Sequence, residues 1–212
     1  NNQQTSTATG LAPGTYHVTI TDNNGCGTPV VLTVVIDGPT EALELTLTPS
    51  LFGGGYNLAC ADDSTATIDL QITGGTAPYD VLWDLPGTDT STDQNLTDLG
   101  PGTYSVVVTD ANGCQVIETI TLTAPTPITI TFETTPSLCF GAPTGSLSIE
   151  IFGGVPGYDV LWNGPNGFTS TDTDLTDIEG GIYYLTITDS NGCEYLDAVT
   201  VTQPEDLVIT VD

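Results

Sequence analysis

The segment YSVVVTDANGC at residues 104–114 is the strongest structural signal in the sequence, because the chain repeats it almost unchanged in two other places. The related segments are YHVTITDNNGC at 16–26 and YYLTITDSNGC at 183–193. Each begins with alternating apolar and polar side chains, which is typical of a half-buried β-strand. Each ends in Asp, Asn and Gly, residues that favour the tight turn of a β-hairpin. The stretch therefore predicts a strand, a hairpin turn and a cysteine beside that turn.

A longer alignment shows that whole domains repeat. The offset that takes Tyr104 to Tyr183 also places TGGTAPYDVLW at 73–83 over FGGVPGYDVLW at 152–162. Roughly 80 residues are enough to close a small core, so a repeat of this length predicts tandem domains and not a short-repeat solenoid.

Prolines mark the expected domain boundaries, because a new alternating strand follows each of Pro39, Pro125 and Pro204. We expect residues 40–125 and 126–204 to be complete repeats. We expect residues 1–38 to be the C-terminal half of a truncated repeat and residues 205–212 to be the first strand of another. The chain is therefore predicted to be a segment of a longer array.

Alternation marks about seven short strands in each complete repeat, with turn residues between them. In the quoted stretch Tyr104, Val106 and Val108 share one face of the strand, and Ser105 and Thr109 share the other. This pattern predicts an all-β chain of tandem immunoglobulin-like β-sandwich domains. We expect the inward aromatic residues to pack in the cores, and the Tyr of the repeated stretch to form a tyrosine corner: Tyr16, Trp83, Tyr104, Trp162 and Tyr183.

Charge and hydropathy exclude two classes of partner. Among 212 residues there are 27 acidic side chains, one His and neither Lys nor Arg, so the net charge is −27. A protein without cationic side chains lacks the electrostatic footprint of nucleic-acid binding and has no attraction to anionic lipid. No apolar run approaches the roughly 18 residues of a membrane-spanning helix. We therefore predict no nucleic-acid partner and no membrane insertion.

The spacing of the cysteines predicts disulfides within domains. The separation of Cys60 from Cys114 in the sequence equals that of Cys139 from Cys193. We expect each pair to meet at one end of its own sandwich. Cys26 is then left unpaired by truncation, because its counterpart would precede the first residue. Zinc is disfavoured since there is no C-x-x-C pair, and we expect no cofactor. Disulfides indicate an oxidising compartment outside the cytoplasm.

The motif order resembles that of the SprB repeat, which occurs in long cell-surface proteins of gliding and related Bacteroidota. The segments that carry the resemblance are CFGAPTGSLSIEIFGGVPGYDVLW at 139–162 and LTDIEGGIYYLTITDSNGCEYLDAVTVTQP at 175–204, with their counterparts in the preceding repeat. The resemblance implies type 9 secretion, display at the cell surface, and a role in adhesion, gliding motility or cell capture. One departure is CADDSTA at 60–66, where the family usually has glycines after the cysteine.

Three further features carry hypotheses of their own. Acidic loops recur in the two repeats, as Asp93, Asn95 and Asp98 and as Asp172, Asp174 and Asp177, and their oxygens suit either calcium or a solvated loop. Ser64 lies in a DST triplet that weakly matches an O-glycosylation acceptor pattern. His17 is the only His and has no catalytic partners, so we predict that the protein is not an enzyme.

Two classes of function remain open from the sequence. The first is a structural and adhesive segment of a long extracellular fibre. Its partners are neighbouring repeats of the same chain, other copies in a homo-oligomeric fibre, and cell-surface glycans or solid surfaces. The second is a carbohydrate-binding module, with or without calcium, whose Thr-rich outer faces and Asp loops would hold glycans. A sugar-binding platform built from the aromatic residues would instead need those side chains to be exposed. An ice- or mineral-binding Thr face ranks below both, because exposed Thr is common on half-buried strands.

Overall fold

The computed structural model of the chain describes residues 5–24, 27–39 and 41–209, and these form an all-β protein. Sixteen strands are present among the described residues, together with two short 3₁₀ turns at Gly53–Gly55 and Pro165–Gly167. Seven of the strands form a first sandwich and seven a second. The predicted fold of tandem seven-stranded sandwiches is confirmed.

The first sandwich packs a three-stranded sheet against a four-stranded sheet, both fully antiparallel. The three-stranded sheet has the order β3-β4-β7 and the four-stranded sheet the order β6-β5-β8-β9. The strands are β3 (Glu44–Pro49), β4 (Ala66–Thr73), β5 (Asp80–Asp84), β6 (Thr90–Ser91), β7 (Leu96–Leu99), β8 (Gly102–Thr109) and β9 (Gln115–Leu122).

The second sandwich repeats this topology strand for strand. Its sheets have the orders β10-β11-β14 and β13-β12-β15-β16. The strands are β10 (Thr129–Thr135), β11 (Gly145–Phe152), β12 (Asp159–Asn163), β13 (Thr169–Ser170), β14 (Asp174–Ile178), β15 (Gly181–Thr188) and β16 (Glu194–Val201).

The strands β1 (Gly14–Ile20) and β2 (Val30–Ile36) form a separate two-stranded antiparallel hairpin. Its apolar side chains remain largely exposed, and Tyr16 is only half-buried. A two-stranded hairpin has no second sheet to cover it, so the expectation of Tyr16 as a core residue is wrong in this structure. Tyr16 nevertheless donates a hydrogen bond to the Ala12 carbonyl at 2.7 Å. No helix in the described part of the chain has the length and hydropathy needed to cross a membrane.

Each sandwich core is built around one tryptophan. Trp83 and Trp162 are fully buried, and their Nε1 atoms donate to the carbonyls of Asp93 at 2.9 Å and Asp172 at 3.0 Å. A buried indole N–H needs such a partner. The core side chains come from the inward positions of both sheets; in the second sandwich they include Leu147, Ile149, Val160, Leu175, Leu185, Ile187 and Val199.

The Tyr of the repeated stretch forms a corner with the residue four positions before it. Tyr104 donates from its hydroxyl to the Gly100 carbonyl at 3.0 Å, and Tyr183 to the Glu179 carbonyl at 2.8 Å. Both rings are buried. Burial raises the pKa of the Tyr183 hydroxyl, and the negative charge of the Glu179 carboxylate raises it further by a smaller amount.

The direction of the strands defines two ends of each sandwich. We call the end where the first strand starts the leading end and the end where the last strand stops the trailing end. In the first sandwich β4 and β8 both run toward the leading end, because both pair with strands that run away from it. The β8–β9 hairpin turn therefore lies at the leading end, and the loop between β3 and β4 lies at the trailing end.

Candidate functional site: the junction between the two sandwiches

The hairpin turn of the repeated stretch is held by its aspartate. In the first sandwich the Asp110 carboxylate is buried and accepts hydrogen bonds from the backbone amides of Cys114 at 2.8 Å, Asn112 at 2.9 Å and Thr76 at 3.0 Å. These hydrogen bonds hold the pKa of Asp110 below its ordinary value, and the bond from the Cys114 amide contributes most. The carboxylate thus fixes both the hairpin and the neighbouring loop.

The other copies of the stretch use the same aspartate. Asp189 accepts from the amides of Val155 at 2.8 Å and of Asn191 and Cys193 at 2.9 Å. In the first copy of the stretch Asp22 accepts from the Asn24 amide at 2.9 Å. These contacts give the aspartate a structural role in the turn.

The cysteines do not pair as their spacing predicts. Cys60 is bonded to Cys193, with Cα atoms 5.7 Å apart and a sequence separation of 133. Cys114 and Cys139 are exposed free thiols. The predicted pairs Cys60–Cys114 and Cys139–Cys193 are therefore wrong in this structure.

Strand direction explains the error. The prediction requires the cysteine before β4 and the cysteine after β8 to share one end of the sandwich. Because β4 and β8 run the same way, Cys60 lies at the trailing end and Cys114 at the leading end. The amides of Asn57 and Leu58, just before Cys60, bond to the Thr123 carbonyl, which follows β9. Cys114 immediately precedes β9, whose eight residues span about 25 Å.

The observed disulfide joins the trailing end of the first sandwich to the leading end of the second. The chain leaves the first sandwich after Leu122 and starts the second at Thr129. Between them Pro125 is buried, and the Thr126 carbonyl accepts from the Gly154 amide at 2.8 Å. This short connection brings the two ends that carry Cys60 and Cys193 face to face.

The asparagine of the repeated stretch makes the polar contact across the junction. Nδ2 of Asn191 donates to the Ala59 carbonyl at 3.1 Å and to the Gly53 carbonyl at 3.4 Å. Sγ of Cys193 also lies 3.2 Å from the Ala59 carbonyl oxygen. In the first sandwich the equivalent Asn112 donates to the Thr76 hydroxyl instead.

An extended loop in the first sandwich adds to the contact. The segment from Glu44 to Cys60 is longer than the equivalent segment from Thr129 to Cys139 in the second sandwich. The longer loop carries the Gly53–Gly55 turn, and a Cβ atom at Gly53 would lie 2.4 Å from Oδ1 of Asn191. A larger residue at position 53 would therefore require the Asn191 side chain to shift.

A small cleft of about 240 Å³ lies in the junction beside the disulfide. Its lining includes Cys60, Asp62, Pro125, Ile128, Asp189 and Tyr195. The volume is below the roughly 300–1,000 Å³ of typical small-molecule sites. The cleft is better described as an incompletely filled seam between two packed domains than as a ligand pocket.

The acidic loops of the two repeats make structural contacts. The Asp93 carboxylate accepts from the Ser91 hydroxyl at 3.0 Å, and Asp172 accepts from Ser170 at the same distance. The amide oxygen of Asn95 accepts from the Leu70 amide at 3.0 Å. Asp98 and Asp177 adopt positive φ angles at equivalent turns, and Asp174 starts β14. Among the described residues no three His, Cys, Asp or Glu side chains come together as a metal site.

The remaining predicted residues lie apart from the junction. Ser64 is exposed, and its amide donates to the neighbouring Asp63 carboxylate at 2.8 Å. His17 is exposed on β1, with Nδ1 3.1 Å from the Thr33 hydroxyl. Cys26 lies outside the described residues. Neither the repeat nor the cysteine spacing points to Asn191 or Gly53, which contact each other across the junction. The greater length of the first loop is the signal in the sequence that could have identified this region.

Comparison with protein families confirms the resemblance. The model of the SprB repeat matches residues 56–88 and 131–167, one segment in each sandwich. Comparison with curated proteins gives no significant match.

Solved structures with similar folds are immunoglobulin-domain proteins. An amphioxus IgVJ-C2 molecule is 16% identical in sequence, with a TM-score of 0.35. The aligned region includes 69% of this chain and all of the amphioxus chain. The eight N-terminal Ig domains of Down Syndrome Cell Adhesion Molecule are 13% identical with a TM-score of 0.45, and 84% of this chain covers 27% of that one. The insect immune protein hemolin is 14% identical with a TM-score of 0.37, over 90% of this chain and 56% of that one. At these scores the similarities carry no functional argument.

Proposed function

We propose that this chain is a structural and adhesive segment of a long extracellular fibre, in which tandem SprB-like repeats form a stalk for attachment, gliding or cell capture. In this proposal residues 40–125 and 126–204 are complete repeats. Residues 1–38 belong to a preceding repeat and residues 205–212 to a following one. The role is non-catalytic, and the resemblance to the SprB repeat supports it.

The observation that carries the proposal is the covalent bond between consecutive repeats. Cys60 and Cys193 belong to different sandwiches and are bonded across the junction. Together with the connection through Thr123 to Ile128, the disulfide gives the two domains a second covalent attachment. Two attachments at separate points restrict bending and twisting far more than a single linker does, which favours a stiff stalk.

The same chemistry supports a location outside the cell. Disulfides persist in oxidising compartments and are rare in the cytosol. A net charge of −27 without any cationic side chain also keeps an exposed fibre soluble. Both properties support secretion and display at the cell surface.

The alternative function, carbohydrate binding, receives less support from the geometry. The tryptophans that would form a sugar-stacking platform, Trp83 and Trp162, are fully buried. A glycan array probed with this protein, with and without calcium, separates the two functions. Calcium-dependent binding to a defined glycan would favour the carbohydrate-binding module over the stalk.

Small-angle scattering tests the stalk directly. We expect the maximum dimension of proteins with two, four and six repeats to grow linearly with the number of repeats. The double variant Cys60→Ser/Cys193→Ser should broaden the distance distribution of the present chain, and the matched Cys114→Ser/Cys139→Ser variant should leave it unchanged. Growth as the square root of the repeat number would show a flexible tether and refute the stalk.

A further inference from the structure

The two free thiols occupy places equivalent to the two bonded cysteines. The offset from Cys60 to Cys139 and from Cys114 to Cys193 is the same as that from Tyr104 to Tyr183, which is the offset of the repeat. Each sandwich therefore has one loop cysteine (Cys60 or Cys139) and one hairpin cysteine (Cys114 or Cys193). In the observed disulfide the loop cysteine of one sandwich is bonded to the hairpin cysteine of the next.

The loop cysteine of the second sandwich lies at its trailing end, like Cys60 in the first. The amide of Ser137 donates to the Thr202 carbonyl, which follows β16, at 2.9 Å. The amide of Gly141 donates to the side-chain oxygen of Gln203 at 2.9 Å. Cys139 lies between these two contacts and is exposed, so its thiol is available where a following repeat would begin.

The hairpin cysteine of the first sandwich lies at its leading end, like Cys193 in the second. The Asp110 carboxylate binds the Cys114 amide as Asp189 binds that of Cys193, at 2.8 and 2.9 Å. Cys114 is exposed, and the adjacent Asn112 is the counterpart of the junction residue Asn191. The leading end thus carries the same backbone geometry that forms the observed junction.

We propose that Cys139 and Cys114 are the unpaired halves of two further inter-repeat disulfides, so that the SprB-like array is a ladder with one disulfide across each junction. Cys139 bonds the hairpin cysteine of the following repeat, and Cys114 bonds the loop cysteine of the preceding repeat. The partner is a repeat of this same type, in the same polypeptide or in a second copy. The inference rests on the proposed tandem array and specifies how its members are joined.

The chemistry of each link is a two-electron oxidation of two thiols. The two Sγ–H groups lose two protons and two electrons, and one S–S bond forms. The oxidant is the disulfide of a thiol oxidoreductase in the oxidising compartment, which is reduced to its dithiol. The exchange proceeds through a mixed disulfide, which requires an accessible thiol, and both Cys114 and Cys139 are exposed.

Differential alkylation of the present chain tests the premise. We expect Cys114 and Cys139 to be labelled nearly completely before reduction, and Cys60 and Cys193 only after reduction. Peptide mapping should recover one crosslinked pair, Cys60–Cys193. The variant Cys60→Ser should expose Cys193 to labelling, whereas the control Cys114→Ser should leave the Cys60–Cys193 peptide intact.

Mapping of the native protein, alkylated as it is extracted from its cells, tests the ladder. We expect Cys139 and Cys114 to be unlabelled and recovered in crosslinked peptides with cysteines of neighbouring repeats. An unchanged chain mass under non-reducing conditions would place the links within one polypeptide, and multiples of that mass would place them between copies. Labelled Cys139 in the native protein, or a Cys139–Cys193 peptide, would overturn the ladder. The result is independent of the scattering experiment, because an array without disulfides at every junction can still be a rod.

Discussion

Removing one hydroxyl group from a tyrosine corner should destabilise a single sandwich. Tyr183 is 1% exposed, and its hydroxyl donates to the Glu179 carbonyl at 2.8 Å. The substitution Tyr183→Phe deletes this bond and keeps the ring, so it opens no large cavity. The matched control is Tyr184→Phe, because Tyr184 is on the outer face of the same strand and is 59% exposed.

The expected loss for Tyr183→Phe is about 1 kcal/mol, because a hydrogen bond contributes about 0.5–1.5 kcal/mol net and a fully buried unsatisfied partner costs more. Glu179 is only half-buried, so water can reach part of its carbonyl and the loss stays near the middle of that range. For a domain of this size a loss of about 1 kcal/mol corresponds to about 4–8 °C in melting temperature. The control should change stability by less than about 0.5 kcal/mol.

Urea unfolding followed by tryptophan fluorescence measures the effect in each sandwich separately. The sandwiches have one tryptophan each, Trp83 in the first and Trp162 in the second, and both are fully buried. A Trp83→Phe background makes Trp162 the only reporter. We expect Tyr183→Phe to lower the midpoint reported by Trp162 and Tyr184→Phe to leave it in place. Equal shifts for the two substitutions would refute the contribution of the corner hydrogen bond.

Backbone sterics, one buried carboxylate and the net charge also have measurable consequences for stability. In thermal melts the substitution Gly74→Ala should destabilise the first sandwich much more than Gly113→Ala. A Cβ atom at Gly74 would lie 1.8 Å from the Ala42 carbonyl oxygen, whereas a Cβ atom at Gly113 meets nothing within 4 Å. Similar losses of stability for the two substitutions would contradict the steric argument. The lowered pKa of Asp110 stabilises the folded state above the ordinary pKa of about 4, and this stability is lost as pH falls through the folded-state pKa. The difference in stability between wild type and Asp110→Asn should therefore shrink with acidification. A constant difference would exclude this linkage. With a net charge of −27 the melting temperature should rise from very low salt to marine-like salt, and a steady fall would contradict a destabilising repulsion.

The sequence predicts the fold well because its signals are local. Alternation places Trp83, Val106 and Ile187 inward, and all three are fully buried. The Asp-x-Asn-Gly turn also follows from short-range chemistry, since the aspartate bonds amides two and four residues ahead. Signals of this kind need no knowledge of how distant strands are arranged.

The disulfide could not be predicted in the same way, because it depends on the relative direction of strands that are far apart in sequence. The equal spacing from Cys60 to Cys114 and from Cys139 to Cys193 reflects the repeat itself and not proximity. The contact partner of Asn191 was hidden for a similar reason. Its carbonyl acceptors, at Gly53 and Ala59, belong to the other sandwich.

The absence of Lys and Arg explains why a covalent bond is suited to joining these domains. Neighbouring domains of most proteins dock through contacts that include ion pairs, but a chain with 27 acidic residues and neither Lys nor Arg has almost no means of forming them. Its net charge makes neighbouring domains repel one another. A disulfide is insensitive to this repulsion. In the chain-entropy treatment a crosslink with a sequence separation of 133 lowers the entropy of the unfolded chain by the equivalent of about 5 kcal/mol.

The repeated stretch then has two roles at once. Its aspartate faces its own domain and closes the hairpin, as Asp189 does through three amides. In the second sandwich its asparagine and cysteine face the preceding domain, where Asn191 contacts Ala59 and Cys193 is bonded to Cys60. At this junction one short stretch, with its strand, turn and cysteine, both folds the second domain and attaches it to the first.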